Sequence, residues 1–376
     1  PLKISIMKKF SNLLFIAAIS SLLFSCGKTE DTDSFGKKDM FANYADNLIL
    51  PAYTTYGNSI TSLQTALSNF NATTDLSNLS ALQSAFLNTY AAWQSCEIYE
   101  KTAPADQAMA LDNTNYFPCR ADSIDAYVSR NDNSAASIKS KVKSDKGLAA
   151  IEYVLFSRTL SQQQILDRFT TGPNAASYKT YLSSLVSNIA EVQSSVISGW
   201  AGYKDIFINS LGTDASGSFS VMVNSIAQRT DDFKRMQTGT PAGYLGNVAT
   251  VNVLPGAVQA YYSNNSTNYM LLTLNNMKDV LNGKGSNDGK GLIDYIRTLN
   301  VTSTFGGNLA DDILSQIDVC ITKVNDCAPD YSATVVSNKA KADALFLEAK
   351  KLLVLIKVDV PSALGVSITY TDSDGD

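Results

Sequence analysis

GLAAIEYVLF, residues 147–156, is the stretch whose reading decides the fold. Gly147 is a permissive start, and Leu, Ala, Ile, Glu and Tyr then run without a breaker to Ser157, so the segment reads as helix. Apolar side chains fall on every face of it, which predicts a helix buried on most sides. Glu152 is the only charge between Lys146 and Arg158. A carboxylate in such surroundings must find a cation, a metal or hydrogen-bond donors, or else take up a proton.

Working outward, the flanking segments are also helical. Residues 38–70 form a first helix with Pro51 inside it, and an interior proline predicts a kink. Asp75 or Ser77 can cap a second helix running to about residue 101. Its apolar stripe is Leu79, Leu82, Phe86, Tyr90 and Trp93, at a 3.6-residue period, and the same stripe continues to Glu97 and Glu100. A turn at Asn115-Tyr116-Phe117-Pro118 precedes a capped helix that begins near Asp122. Beyond residue 156, a long helix over 175–211 carries Leu182, Leu185, Ile189, Val192, Val196 and Trp200 on one face. Residues 212–217, GTDASG, are the clearest breaker cluster and place a domain boundary there. The second half reads as helices over 219–237, 266–282, 291–300, 309–324 and 332–358. Residues 248–254 alternate weakly and 364–370 alternate better, predicting a short extended piece and a terminal strand. The fold class expected is all-α, two helical-bundle domains over 38–211 and 218–376, with minor β segments.

Composition narrows the chemistry. At 376 residues and 45% hydrophobic content the chain can bury a large core, and its size favours division into domains. Zero histidines exclude a Ser-His-Asp or Cys-His nucleophile pair, an imidazole base and His-ligated zinc or haem. A net charge of −5 with no basic stripe argues against nucleic acid. The Gly283-Lys284-Gly285 and Gly289-Lys290-Gly291 turns lack phosphate-loop spacing and read as flexible turns. Asp372-Ser373-Asp374-Gly375-Asp376 opens like a calcium loop without its closing Glu, and reads as an acidic tail.

The N-terminus sets the compartment. Met7-Lys8-Lys9 and the apolar run 13–24 have the form of a signal peptide over 7–25, with residues 1–6 preceding its start. Leu23-Phe24-Ser25-Cys26 resembles a bacterial lipobox, which makes Cys26 the lipidated first residue and residues 26–37 a polar tether. GKTEDTD behind it resembles the acidic export signals of some Bacteroidetes lipoproteins. Acyl chains at Cys26 would anchor the chain firmly to a membrane. Past Cys26, Cys96, Cys119, Cys320 and Cys327 are an even number for an oxidising compartment, and allow three pairings. The favoured one is Cys96–Cys119 with Cys320–Cys327. The second bridge needs a helix break near Asn325-Asp326, because a continuous helix holds those sulfurs about 10 Å apart. The competing reading is four buried thiols acting as small hydrophobes.

KGLAAIEYVLF resembles the signature segment of the imelysin-like proteins, G-x-H-x-x-E followed by an apolar helix. Gly147 and Glu152 match; Ala149 stands where the family has its histidine. WQSCEIYE with YFPCRADSID resembles the W-x-x-x-E helix and aromatic-Pro segment before the signature helix. GAVQAYYSNNSTNYMLLTLNNMKDVLNGK, GKGLIDYIRTL and the ending SALGVSITYTDSDGD extend the resemblance over nearly the whole mature chain. It implies two helical bundles and a metal site, for iron, built on the His/Glu signature. The candidate metal or ligand site is Glu152 with Glu97, Trp93, Glu100 and Asp122, since carboxylates facing inward from bundle helices can build one. Without the imidazole such a site is oxygen-only and suits a hard ion, iron or calcium. The alternative is that a lysine, an arginine, tyrosine hydroxyls or backbone amides hold Glu152. No catalytic residue is assigned. The resulting expectation is an outer-membrane lipoprotein, on the periplasmic or cell-surface face, with a binding role in iron or nutrient acquisition and an envelope protein as partner. A metal-dependent peptidase and a surface interaction protein with a degenerate site are the rivals. Cells fed labelled palmitate should label the wild-type chain; Cys26→Ser should lose the label and leave the membrane fraction, and retained label would refute the anchor.

Overall fold

Pro51 decides how the first long helix is built. The computed structural model describes residues 34–246, 248–250 and 252–370, so the signal segment, Cys26 and the 372–376 tail lie outside the described residues. Lys37–Asn43 is α-helical, Tyr44–Ile49 widens into a π turn, and α1 follows as Leu50–Ala72 with Pro51 in its first turn. Proline has no N–H, so the carbonyl four residues earlier, at Asn47, loses its helical donor. The Ser286 N–H replaces it at 3.2 Å. The wider turn lets the helix absorb the ring without breaking.

That opening is also a docking point. Asn43 Nδ2 donates to the Gly283 carbonyl at 2.7 Å and the Lys290 carbonyl at 3.1 Å. Tyr44 Oη donates to the Val280 carbonyl and accepts from the Leu292 N–H, each at 2.9 Å. The two Gly-Lys-Gly turns, expected to be flexible, are therefore pinned against the first helix.

α2, Leu76–Trp93, starts where expected: the Asp75 side chain accepts from the Asn78 N–H at 2.8 Å. Its stripe from Leu79 to Trp93 is buried. α3 is Gly147–Leu155, and α4, Ala175–Asn209, packs against both α1 and α3. Leu182, Leu185, Ile189, Val196 and Trp200 of α4 are buried and Val192 is half-buried. The chain turns at 210–217 into α5, Ser218–Asp232, which continues as a π turn, Phe233–Gly239. A two-stranded hairpin pairs β1, Tyr244–Leu245, with β2, Val248–Ala249, in the register Tyr244 to Ala249 and Leu245 to Val248. α6, Ser266–Leu281, α7, Leu309–Asp326, and α8, Lys339–Val354, then pack in sequence, α6 on α7 and α7 on α8. The architecture is predominantly α-helical with minor β structure, as expected. Contacts group the chain from Lys37 onward as one compact unit, within which α5 packs on the short 3₁₀ turn Glu97–Tyr99.

Four local expectations are corrected. α2 ends at Trp93 and does not reach residue 101. The helix expected over 332–358 is broken: Asn338 ends Tyr331–Ser337 and its side chain accepts from the Lys341 N–H to start α8. The terminal strand is absent among the described residues. Instead the Asn224 amide accepts from the Thr369 N–H at 2.7 Å and donates to the Ser367 carbonyl at 3.0 Å, giving one peptide's worth of strand pairing from a side chain. The four cysteines are free thiols, Cys96, Cys320 and Cys327 buried and Cys119 half-buried. α7 runs unbroken to Asp326, so the kink that a Cys320–Cys327 bridge requires does not form.

A Cβ at Gly285 would lie 2.0 Å from the Asn47 carbonyl oxygen, so this turn tolerates no side chain. Gly285→Ala should undock it and lower stability by about 1–3 kcal/mol. A urea midpoint equal to wild type would show that the turn is not held there.

Candidate functional site

Gly147 positions the helix that carries Glu152. Its φ of +74° lies in the left-handed region, and a Cβ there would meet the Thr114 carbonyl oxygen at 2.4 Å. α3 is buried along its length apart from Tyr153, and Glu152 is only 2% exposed. The Ser263 N–H and Oγ both donate to Glu152 Oε1, at 2.7 and 2.6 Å. Burial raises the Glu152 carboxyl to about 7, against the pull of the two Ser263 donors and the Arg158 charge. The expectation that hydrogen-bond donors could hold this acid is met, with serine as the agent.

Ser263 lies in a tight turn before α6, in which Ala260 and Asn264 have left-handed φ values of +55° and +59°. Arg158, just past α3, secures that turn. Its Nε donates to the Tyr261 carbonyl at 2.6 Å, its Nη2 to Asp330 at 2.7 Å, and its guanidinium sits 4.3 Å from the Tyr261 ring centroid. Cys119 and Tyr262 also border Glu152: burial, then the Glu152 charge, push the Cys119 thiol up to about 12. That thiol is protonated near neutrality and is no nucleophile. Ala149, at the motif's histidine position, is buried.

The second acid group follows α2. No residue in Gln94-Ser95-Cys96 forbids helix, so the tightening into a 3₁₀ turn at Glu97–Tyr99 accompanies packing against α5. Glu97 pairs with Arg229 of α5, Oε2 to Nη2 at 3.0 Å, with both side chains 3% exposed. Asn115 Nδ2 donates to Glu97 Oε1 at 3.2 Å, and Tyr90 Oη donates to Asn115 Oδ1 at 2.8 Å. Desolvation nevertheless raises the Glu97 carboxyl, with Arg229, Asn115 and the Trp93 indole opposing. The Trp93 Nε1 itself makes no hydrogen bond of good geometry. Arg229 Nη2 also donates to Thr273 Oγ1 at 2.8 Å, entering a buried amide network with Gln94, Gln237 and Gln259.

Glu100 is buried, and desolvation followed by the Asp232 charge raises its carboxyl well above the ordinary range. Asp232 is itself raised by burial and pairs with Arg235 at 2.9 Å. Two adjoining cavities open over these groups. One, of about 110 Å³, is lined by Glu97, Asn115, Arg229, Asp232 and Arg235 among others; the second, of about 280 Å³, is lined by Glu100, Lys101 and Met109 among others. Leu111, Asp112 and Gln228 line both.

Glu97, Glu100 and Trp93 thus fall together at the α2–α5 junction, while Glu152 has its own partner in Ser263. Asp122 is a correction: it is exposed on the first turn of Ala121–Ser129, because Ile124 and Val128 take the inner face of that short helix. Among the described residues no three His, Cys, Asp or Glu side chains are grouped to hold a metal ion, and the donor set at Glu152 does not compose one. Sequence reasoning missed Ser263, Arg229, Asn115, Asp232 and Arg235. The signal was the dense charge of RTDDFKR, residues 229–235, in a helical stretch that is largely buried.

The imelysin family model matches residues 49–356. No curated protein sequence matches the chain. Among solved structures, a candidate iron-regulated protein A precursor from Parabacteroides distasonis superposes with a TM-score of 0.71 at 16% identity, covering 87% of this chain and 95% of that one. An imelysin-like protein from Psychrobacter arcticum does so with a TM-score of 0.68 at 15% identity, covering 89% and 97%. At those identities the likeness is one of fold.

The Glu152 environment fixes a pH dependence. The carboxyl titrates near 4.5 when unperturbed and near 7 in the native chain, so the native state holds the proton more tightly between those values. Its contribution to stability is full below pH 4.5, declines as pH rises to 7 and is level above, a span of about 3 kcal/mol. Glu152→Gln keeps an acceptor for Ser263 without the titration, so the variant should gain on wild type over that range in urea unfolding. Parallel stability curves would show that Glu152 is not the titrating group.

Proposed function

The chain belongs to the imelysin family, and from that premise we propose that it is an envelope-anchored binding protein in iron or other nutrient acquisition. The observation that carries the reading is the junction itself. Acids of the first half, Glu97 and Glu152, are closed by donors of the second, Arg229 and Ser263, and a cavity opens beside the Glu97–Arg229 pair. A pocket with convergent polar groups and displaced titrations is where a ligand is expected.

The peptidase reading asks more of these residues. Hydrolysis needs a metal-activated water or a carboxylate pair free to act on one. Here Glu97 is neutralised by Arg229 and Glu152 is occupied by Ser263. One matched structure is described as iron-regulated, and on this reading the present chain serves iron or nutrient supply.

A strain lacking the protein should grow more slowly than its parent when iron or a single nutrient is limiting, with recovery on re-expression. Equal growth under every limitation would favour the surface-interaction reading. Purified protein should leave casein intact; cleavage that vanishes in Glu152→Gln would establish the peptidase instead.

A further inference from the structure

An exposed apolar surface lies close to where the compact unit begins. Lys37, its first residue, holds its ammonium 5.3 Å from the Tyr295 ring centroid. Tyr295 belongs to the helix Leu292–Leu299, about 12 Å long, which packs against the short helix Val360–Leu364. Leu299 ends that helix exposed, and the loop after it presents Phe305, 50% exposed. Val358, 55% exposed, stands beside Phe305. The Thr304 N–H and Oγ1 donate to the Asp359 carboxylate at 2.8 and 2.5 Å, which brings the residue before Phe305 against the residue after Val358.

The Phe305 loop is held in shape by polar bonds. The Ser303 N–H donates to the Gly307 carbonyl at 2.9 Å, Ser303 Oγ to Asp312 at 2.5 Å, and the Phe305 N–H to Ser303 Oγ at 2.9 Å. Together they keep a phenyl ring in contact with water, which apolar hydration disfavours. From Val358 the same surface runs back along α8, where Leu347 is 52% exposed, Val354 is half-buried, and Lys350 and Lys351 are exposed between them. Lys350 forms no ion pair among the described residues. The neighbouring acids are engaged: Asp359 by Thr304, Glu348 by Lys351 at 2.9 Å and Gln316 at 2.8 Å, Asp311 by Arg297 at 2.8 Å. Aromatic and aliphatic side chains set among lysines are the chemistry of a helix that lies in a membrane interface.

We propose that the face formed by Phe305, Leu347, Val354 and Val358 with Lys350 and Lys351 rests on an anionic phospholipid surface and so orients the protein on its membrane. The inference rests on the anchored reading given above and goes beyond it by assigning the side that meets the lipid. Two observations favour lipid over a protein partner. From Cys26 to Lys37 is eleven residues, a contour of at most about 40 Å, so an acylated Cys26 keeps this surface near a leaflet at high effective concentration. The unpaired charge on the face is positive although the whole chain carries −5, and it complements anionic headgroups.

Both native tryptophans, Trp93 and Trp200, are buried, so Phe305→Trp adds an exposed reporter. Leu76→Trp supplies the comparison, at an exposed position beyond the end of α1, a helix about 35 Å long. The full lipidated chain is reconstituted on vesicles of equimolar phosphatidylcholine and phosphatidylglycerol with brominated acyl chains. The added fluorescence of Phe305→Trp should fall by about half or more, and that of Leu76→Trp should be unchanged. Phosphatidylcholine alone, or Lys350→Glu, should weaken the quenching, and Val358→Asp should abolish it with the circular dichroism spectrum kept. Equal quenching of the two reporters, or none for Phe305→Trp in a chain that floats with the vesicles, would overturn the proposal and leave the anchor standing. A Phe305→Trp reporter shielded from iodide in native membranes yet untouched by brominated lipid would give the face to a protein partner instead. A chain that does not float would overturn both, while quenching in a protein whose loss leaves growth unimpaired would support this face and remove the nutrient role.

Discussion

Closure of buried acids by donors from elsewhere in the chain is the interaction on which this structure depends. Glu97 and Glu152 have lost their water, a penalty of several kcal/mol for each ionised group unless partners replace it. Arg229 answers one and Ser263 the other, and both partners come from the second half. Without those partners neither acid could stay ionised in the interior. The halves are therefore coupled through electrostatics as well as through apolar packing. The Ser263 turn shows how closely the coupling is specified: Arg158 of the first half holds that turn by its carbonyl, its ring and a carboxylate beyond it.

Much of the fold was legible because helical periodicity is a local property. The stripe from Leu79 to Trp93 and the face from Leu182 to Trp200 lie where a 3.6-residue repeat puts them, and the Asp75 cap is where a short polar side chain meets a bare helix start. The errors share a different cause. α2 stops at Trp93 although nothing in its sequence stops it, because the winding there answers to α5. The alternating C-terminal segment reads as strand and has strand-like donors and acceptors, but Asn224, a helix side chain, supplies the partner. Cysteine spacing suggested bridges, yet Cys320 lies on a helix too regular to bend toward Cys327. Long-range partners decide each case, and a single sequence does not display them.

The candidate site divides along the same line. Glu152 announces itself as one acid in a run of apolar residues, so its burial follows from sequence. That a serine would meet it does not follow, since Ser263 is 111 positions away in a turn of ordinary composition. Asp122 shows the reverse failure. It sits in a segment resembling the family's, but on a nine-residue helix whose inner face belongs to Ile124 and Val128, so it points away. Residue type and sequence neighbourhood identified candidates; only the helix face could sort them.

The orphaned atoms give the strongest argument that the junction is more than glue. Glu100 Oε1, Gln228 Oε1, Arg229 Nε, Asp231 Oδ1, Arg235 Nε and Gln237 Oε1 are all buried without hydrogen bonds, and all belong to the Glu100 turn, to α5 or to the π turn after it. Well-packed apolar side chains in place of a buried ionic cluster are often more stable by about 1–4 kcal/mol. A surface that had only to hold the two halves of the chain together would gain from that exchange. Half-satisfied polar networks are unfavourable in a dry core and become favourable when something else completes them. The π turn at Phe233–Gly239 sharpens the point, because it changes the helix winding in the stretch that carries Arg235 and Gln237. Local rules are broken together here, in the stretch that lines two adjoining cavities.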